Sequence, residues 1–104
     1  MNLTVTFTRS NPSTPFFGTD QDSSSSNKSD HEVLNAFMST TFGSRWTESI
    51  TDNTGTIIVS DITSEEIEWM NTNLNNSKSA LHSAHQRFMD YCTTNHIDIV
   101  ATFA

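Results

Sequence analysis

Positive charge is scarce in this chain: five Lys and Arg stand against twelve Asp and Glu, for a formal net charge of −7. That balance argues against gripping a nucleic-acid phosphate backbone. Cysteine occurs once, as Cys92, which excludes an internal disulfide framework. The three glycines, Gly18, Gly43 and Gly55, are too few and too dispersed for a phosphate-cradling loop. No apolar run approaches the length of a membrane span. The opening MNLTVTFTRS alternates polar with apolar residues and has no apolar h-region, so it does not read as a signal peptide. At 104 residues and 34% hydrophobic composition the chain reads as one small domain, residues 1–104, with a modest core. The expectation is an acidic protein that is neither secreted nor membrane-bound.

What the chain has in abundance is neutral polarity. Ser, Thr and Asn make up 41 of 104 residues, while charged residues reach only 16%. Thr suits exposed strand faces, and Ser and Asn suit caps and turns. A surface thin in Lys and Glu also lacks one of the usual barriers to close packing between copies.

Residues 2–9 alternate, with Leu3, Val5 and Phe7 on one face and Thr4, Thr6 and Thr8 on the other, the pattern of a half-buried strand. A polar stretch follows over residues 10–28, with Pro12, Pro15, the pair Phe16–Phe17 and the run Ser23–Ser26. It has no periodicity and reads as a long loop or arm, disordered or functional. Ser29 and Glu32 have capping-box spacing, and Val33, Leu34, Phe37, Met38 and Phe42 recur helically before Gly43, which predicts a helix over 30–42. Strand-like runs at 44–51 and 56–60 flank Asp52-Asn53-Thr54-Gly55, a hairpin with a four-residue turn. Glu48 shares a face with Trp46 and Ile50, which places that strand at a sheet edge or a bulge. Thr63 and Glu66 form a second capping box. The apolar rows Ile67, Leu74, Leu81, Phe88 and Met70, Ser77, Ala84, Tyr91 stay in phase, but four Asn and two Ser between 71 and 79 are poor helix formers. Two helices, 64–75 and 79–95, with a break near Asn76 are predicted, then a last strand, 97–103.

The predicted order is strand, helix, strand, strand, helix pair, strand, an α+β arrangement of the ferredoxin-like βαββαβ type, with an antiparallel sheet and helices on one face. The other face would carry Thr4, Thr6, Thr8, Thr56, Ile58, Ser60, Val100 and Thr102, with Asp98 its only charge.

This order resembles the dimeric α+β barrel group of ferredoxin-like domains, in which two sheets pack face to face. The local texture resembles small uncharacterised proteins of tailed marine bacteriophages. The residues carrying that likeness are the opening strand Leu3–Arg9, the Pro- and Phe-containing loop Asn11–Gly18, the hairpin turn Asp52–Gly55 and the close at Asn95–Ile99. The second resemblance implies a virion structural or accessory protein, in the virion or the host cytoplasm. Neither contains a motif that assigns a site, and fold alone implies no function.

The densest metal-capable set is His82, His85, Cys92 and His96. The pairs His82/His85 and Cys92/His96 have ligand spacing, but about 15 Å of helix separates them, so one ion cannot take all four. His85, Phe88 and Cys92 also continue the apolar row of Leu81, and core packing is the simpler account. No metal site is assigned. Cys92 as a nucleophile needs an electropositive setting, and Asp90 and Tyr91 supply the opposite. Asp20-Gln21-Asp22 opens like a calcium loop, yet Ser25 and His31 occupy the positions that need Gly and Glu. The sheet face lacks the aromatics and basic flanks of an RNA-binding surface.

No catalytic set and no cofactor site emerges. The leading expectation is a non-enzymatic assembly or protein-interaction protein that packs against copies of itself or other virion proteins. Phe16, Phe17, Trp69, Thr4, Thr6 and Ile58 are its candidate contacts. The alternative is a small-molecule binder or cofactor-free enzyme of the dimeric α+β barrel type, with a pocket near Trp46, His31 and His85.

Overall fold

The alternation at the N-terminus becomes the strand β1, Leu3–Arg9, and it is the hub of the sheet. In the computed structural model, which describes residues 1–104, the remaining elements are α1 (Ser25–Phe42), β2 (Trp46–Thr51), β3 (Thr54–Val59), α2 (Ser64–Leu74), α3 (Ala80–Thr94) and β4 (Ile97–Phe103). One turn of 3-10 helix, Gly43–Arg45, joins α1 to β2. The four strands form one antiparallel sheet in the order β2-β3-β1-β4. The protein is thus α+β, with a four-stranded antiparallel sheet and three helices. No helix is long and apolar enough to cross a membrane.

Register decides which side chains share a face, because successive strand residues point to opposite sides. Leu3 lies opposite Val59 and Phe103, Val5 opposite Ile57 and Ala101, and Phe7 opposite Gly55 and Ile99. Trp46, Glu48 and Ile50 on β2 join this inner face through Val59, Ile57 and Gly55. The outer face is a field of Thr and Ser. Thr4, Thr6 and Thr8 lie between Thr54, Thr56 and Ile58 on one side and Asp98, Val100 and Thr102 on the other.

The helices follow their caps. Thr63 and Glu66 form the reciprocal capping box, and Ser79 caps α3 through the N–H of Leu81. The chain breaks over residues 75–79, where Asn and Ser side chains compete with the helical ladder. Three boundaries differ from the sequence reading by more than one residue. Helix α1 begins at Ser25 rather than residue 30, because Ser24 accepts the N–H of Asn27 as its cap. Ser29 instead bonds back to the carbonyl of Ser25 inside the helix, and its capping box with Glu32 does not form. The long loop therefore ends at Ser24. In the hairpin, Thr54 and Gly55 belong to β3, so the turn is the two residues Asp52 and Asn53. Residues 44–45 lie in the 3-10 turn, not in β2.

Loop 10–24 is ordered by its own chemistry. Buried Asp22 accepts the N–H groups of Gly18 and Ser24 and the side-chain amide of Asn27. Burial works against its charge, but those three donors hold its carboxyl below the usual carboxylate range. Arg9, 6% exposed at the end of β1, bonds to the Thr14 carbonyl, the Gln21 side chain and the Asp52 carbonyl, and lies over the Phe16 ring. One guanidinium thereby ties the loop to the hairpin turn.

The core is divided. Leu3, Phe42, Val59, Ile62 and Met70 make one cluster, and Phe7, Phe16, Cys92 and Ile97 make another. Val5, itself only half-buried, packs against both. Space remains between them.

Candidate functional site

Between the inner sheet face and the three helices lies a cavity of about 460 Å³. Twenty of the 28 residues around it are hydrophobic. Val5 and Ile57 form part of its floor, and Leu34, Ile67 and Phe88 close it from α1, α2 and α3. Val5, Leu34, Ile57, Ile67 and Phe88 are only half-buried although they point inward, because the cavity occupies what should be packed core. Apolar cavities of this size fall in the range that holds small molecules, and apolar walls do not hold ordered water well.

Trp46, His31 and His85 all line this space. The imidazole of His31 faces Glu48 on β2, with Nε2 3.9 Å from the carboxylate, and that carboxylate raises the His31 pKa above the usual histidine range. A shallower polar groove outside shares Thr19, His31, Glu48 and Ile50 with the cavity, so the His31–Glu48 pair stands between the two. His85 is different in kind. Burial, reinforced by nearby His82, lowers its pKa and favours the neutral ring. A neutral imidazole can both donate and accept one hydrogen bond, which suits it to a ligand hydroxyl or carbonyl.

Cys92 also reaches the cavity wall, at 2% exposure, and burial pushes its thiol up to about 11. A thiol so protonated is not an activated nucleophile. The other members of the metal-capable set are separated in use. His82 is spent on the Leu74 carbonyl at 2.7 Å, where it closes the α2–α3 turn. His96 sits at φ 57° just beyond α3, at the entry to β4. No three His, Cys, Asp or Glu side chains come together to hold an ion.

Compared with known proteins, the chain matches no family model, no curated protein and no solved structure.

The candidate contact residues divide. Phe16 and Phe17 are 7% and 4% exposed, so they have no surface to offer a partner. Phe17 packs edge-on against Phe88 and Tyr91, and the Tyr91 hydroxyl donates to the Pro15 carbonyl at 2.6 Å. The loop folds back and closes one end of the core with these two rings. Trp69 remains exposed and stacks on Phe37 of α1, ring centres 5.3 Å apart. Thr4, Thr6 and Ile58 lie together on the outer sheet face and are half-buried. Sequence reasoning missed the burial of Arg9. Its position on the Leu3/Val5/Phe7 face was the available signal.

Proposed function

We propose that this chain is a ferredoxin-like α+β protein that binds a small apolar molecule between its sheet and its helices. The cavity carries the reading: about 460 Å³ of hydrophobic-walled space is large for a chain of 104 residues, and such space costs a small domain stability unless an apolar group occupies it. The strand order β4-β1-β3-β2, with α1 after β1 and the pair α2–α3 after β3, supports the ferredoxin-like reading. The protonated state of the one thiol on the wall argues against a cysteine nucleophile there. His85 and the His31–Glu48 pair would orient a ligand that carries one polar group. The test is titration with an environment-sensitive apolar dye. Saturable binding by the native chain, lost in Val5→Phe where a ring fills the floor, is the expected result. No saturable binding by the folded protein would overturn the proposal.

A second reading, assembly with other copies or with virion proteins, is favoured by the outer sheet face. Its strand positions are Thr, Ser, Ile58 and Val100, with Asp98 the one charge. Thr56→Lys places an ammonium near the middle of that face. It should abolish a face-to-face assembly and leave dye binding intact.

A further inference from the structure

The two edges of the sheet are not alike. An edge strand exposes unpaired backbone N–H and C=O groups, and proteins block such edges with inward charges, bulges or covering elements. On β2, Glu48 points to the inner face beside His31 and so provides an inward charge. The other edge, β4, reads Ile97-Asp98-Ile99-Val100-Ala101-Thr102-Phe103, with no proline and one charged residue. Val100 and Phe103 are 57% and 47% exposed, among the most exposed large hydrophobics of the chain.

The backbone of β4 has a defined free side. Asn2 and Ala104 exchange both backbone hydrogen bonds, at 2.7 and 3.0 Å. By antiparallel alternation, Thr102, Val100 and Asp98 also point their N–H and C=O toward β1. Those of Ile97, Ile99, Ala101 and Phe103 therefore point away from the sheet.

We infer that β4 pairs antiparallel with β4 of a second copy, about a two-fold axis at Val100, to give one continuous eight-stranded sheet. In this register Ile99 lies opposite Ala101 of the second copy and Ile97 opposite its Phe103. These are the four residues whose backbone groups are free, so each such pair exchanges both hydrogen bonds. On the inner face, apolar residues meet apolar residues. On the outer face Asp98 meets Thr102, so the only charge on the strand does not confront itself. That matters for a chain of net charge −7. Val100 meets Val100 in the closer, non-hydrogen-bonded type of pair. The same contact covers Ala101 and Phe103, which line the cavity yet remain exposed.

Light scattering over a concentration series tests the inference, with circular dichroism as the check on folding. The native chain should show twice its 11.6 kDa mass. Ala101→Pro removes an outward N–H without touching the β1 ladder, and Val100→Lys sets two ammonium groups face to face at an exposed position; each should restore the single-chain mass. Thr56→Lys, on the outer face away from the edge, should leave the double mass unchanged. Val100→Cys, treated with oxidised glutathione, should form a disulfide-linked dimer, and Asp98→Cys should not. A native chain that keeps the single-chain mass throughout would overturn the proposal. So would a dimer broken by Thr56→Lys but not by Ala101→Pro, or cross-linking through Asp98→Cys in preference to Val100→Cys.

Discussion

Asp30 on α1 and Arg87 on α3 are joined by two parallel hydrogen bonds, Nε to Oδ2 at 2.6 Å and a terminal nitrogen to Oδ1 at 2.8 Å. The carboxylate side chain is 10% exposed and the guanidinium side chain 57%, so the acid is the member that depends on its partner. The fork fixes the two helices that roof the cavity. Arg87→Ala should lower the urea midpoint, because it leaves a buried carboxylate without its donors. Arg87→Lys keeps the charge but loses the planar fork, and should fall between the two. Equal midpoints for native and Ala variants would remove the pair from any structural role.

The cavity beside Val5 leads to a prediction whose sign is unusual. In a filled core, a larger side chain costs about 1–3 kcal/mol through overpacking. Val5 lies at the junction of the two core clusters and on the cavity floor. Val5→Phe should instead stabilise the protein by roughly 0.5–2 kcal/mol, as cavity-filling substitutions do. Denaturant unfolding measures it, and a loss of stability would mean that the space is already closed by side-chain movement.

The outline of the fold was legible where local chemistry and tertiary packing agree. The Leu3/Val5/Phe7 alternation, the Thr63–Glu66 capping box and the Asn-rich break near Asn76 all appear where their residue types place them. The start of α1 was not legible. Two serines, Ser24 and Ser29, offer rival caps, and the choice falls to Ser24 because Asp22 organises the backbone before it. Phe16 and Phe17 were not legible as core for a related reason: a loop without periodicity gives no direction to its side chains, and their burial depends on partners outside the loop, Arg9 over Phe16, and Phe88 and Tyr91 against Phe17. The cavity residues Trp46, His31 and His85 could be grouped from the sequence. The void itself depends on helix-to-sheet spacing, which no local pattern encodes.

Acid sensitivity should have a specific source in Arg45 and Glu66. Hydrogen bonds from Arg45, with the N–H of Thr63, hold the Glu66 carboxyl down at about 2. A carboxyl whose pKa is lower folded than unfolded adds stability that is complete above its ordinary value, near 4.5, and is lost as pH falls toward about 2. Unfolding free energy measured across that window should decline less steeply in Glu66→Gln, which keeps an acceptor for the helix cap but no charge. Parallel declines in the two proteins would assign the acid sensitivity to other carboxylates.

Cys92 should be chemically silent in the folded protein. Its thiol is buried and held up to about 11, so little thiolate exists near neutral pH. Maleimide or a disulfide reagent should label it only through opening of the fold, with a rate that rises with urea. A ligand in the adjoining cavity should slow labelling further, since binding to the native state suppresses opening. Rapid labelling of native protein at neutral pH would contradict the burial.

Gly18 packs directly against α1 at Asn27 and His31, and replacing it should affect more than the loop. Its φ is +70°, a region that costs an ordinary L-residue about 1–2 kcal/mol. A Cβ placed there would lie 2.2 Å from Cβ of His31 and 2.8 Å from the Asn27 carbonyl oxygen. Both atoms are held by the helix rather than carried on a flexible side chain, so neither can swing aside. The loop would have to lift, which breaks the Gly18 N–H bond to Asp22 and shifts His31 against Glu48. Gly18→Ala should therefore destabilise the protein by roughly 2 kcal/mol or more, the sum of backbone strain and the lost loop anchorage. It should also expose residues 10–24 to limited proteolysis and weaken dye binding, because His31 borders the cavity. An unchanged urea midpoint together with an unchanged digestion pattern would mean that the loop does not rest on α1 in solution.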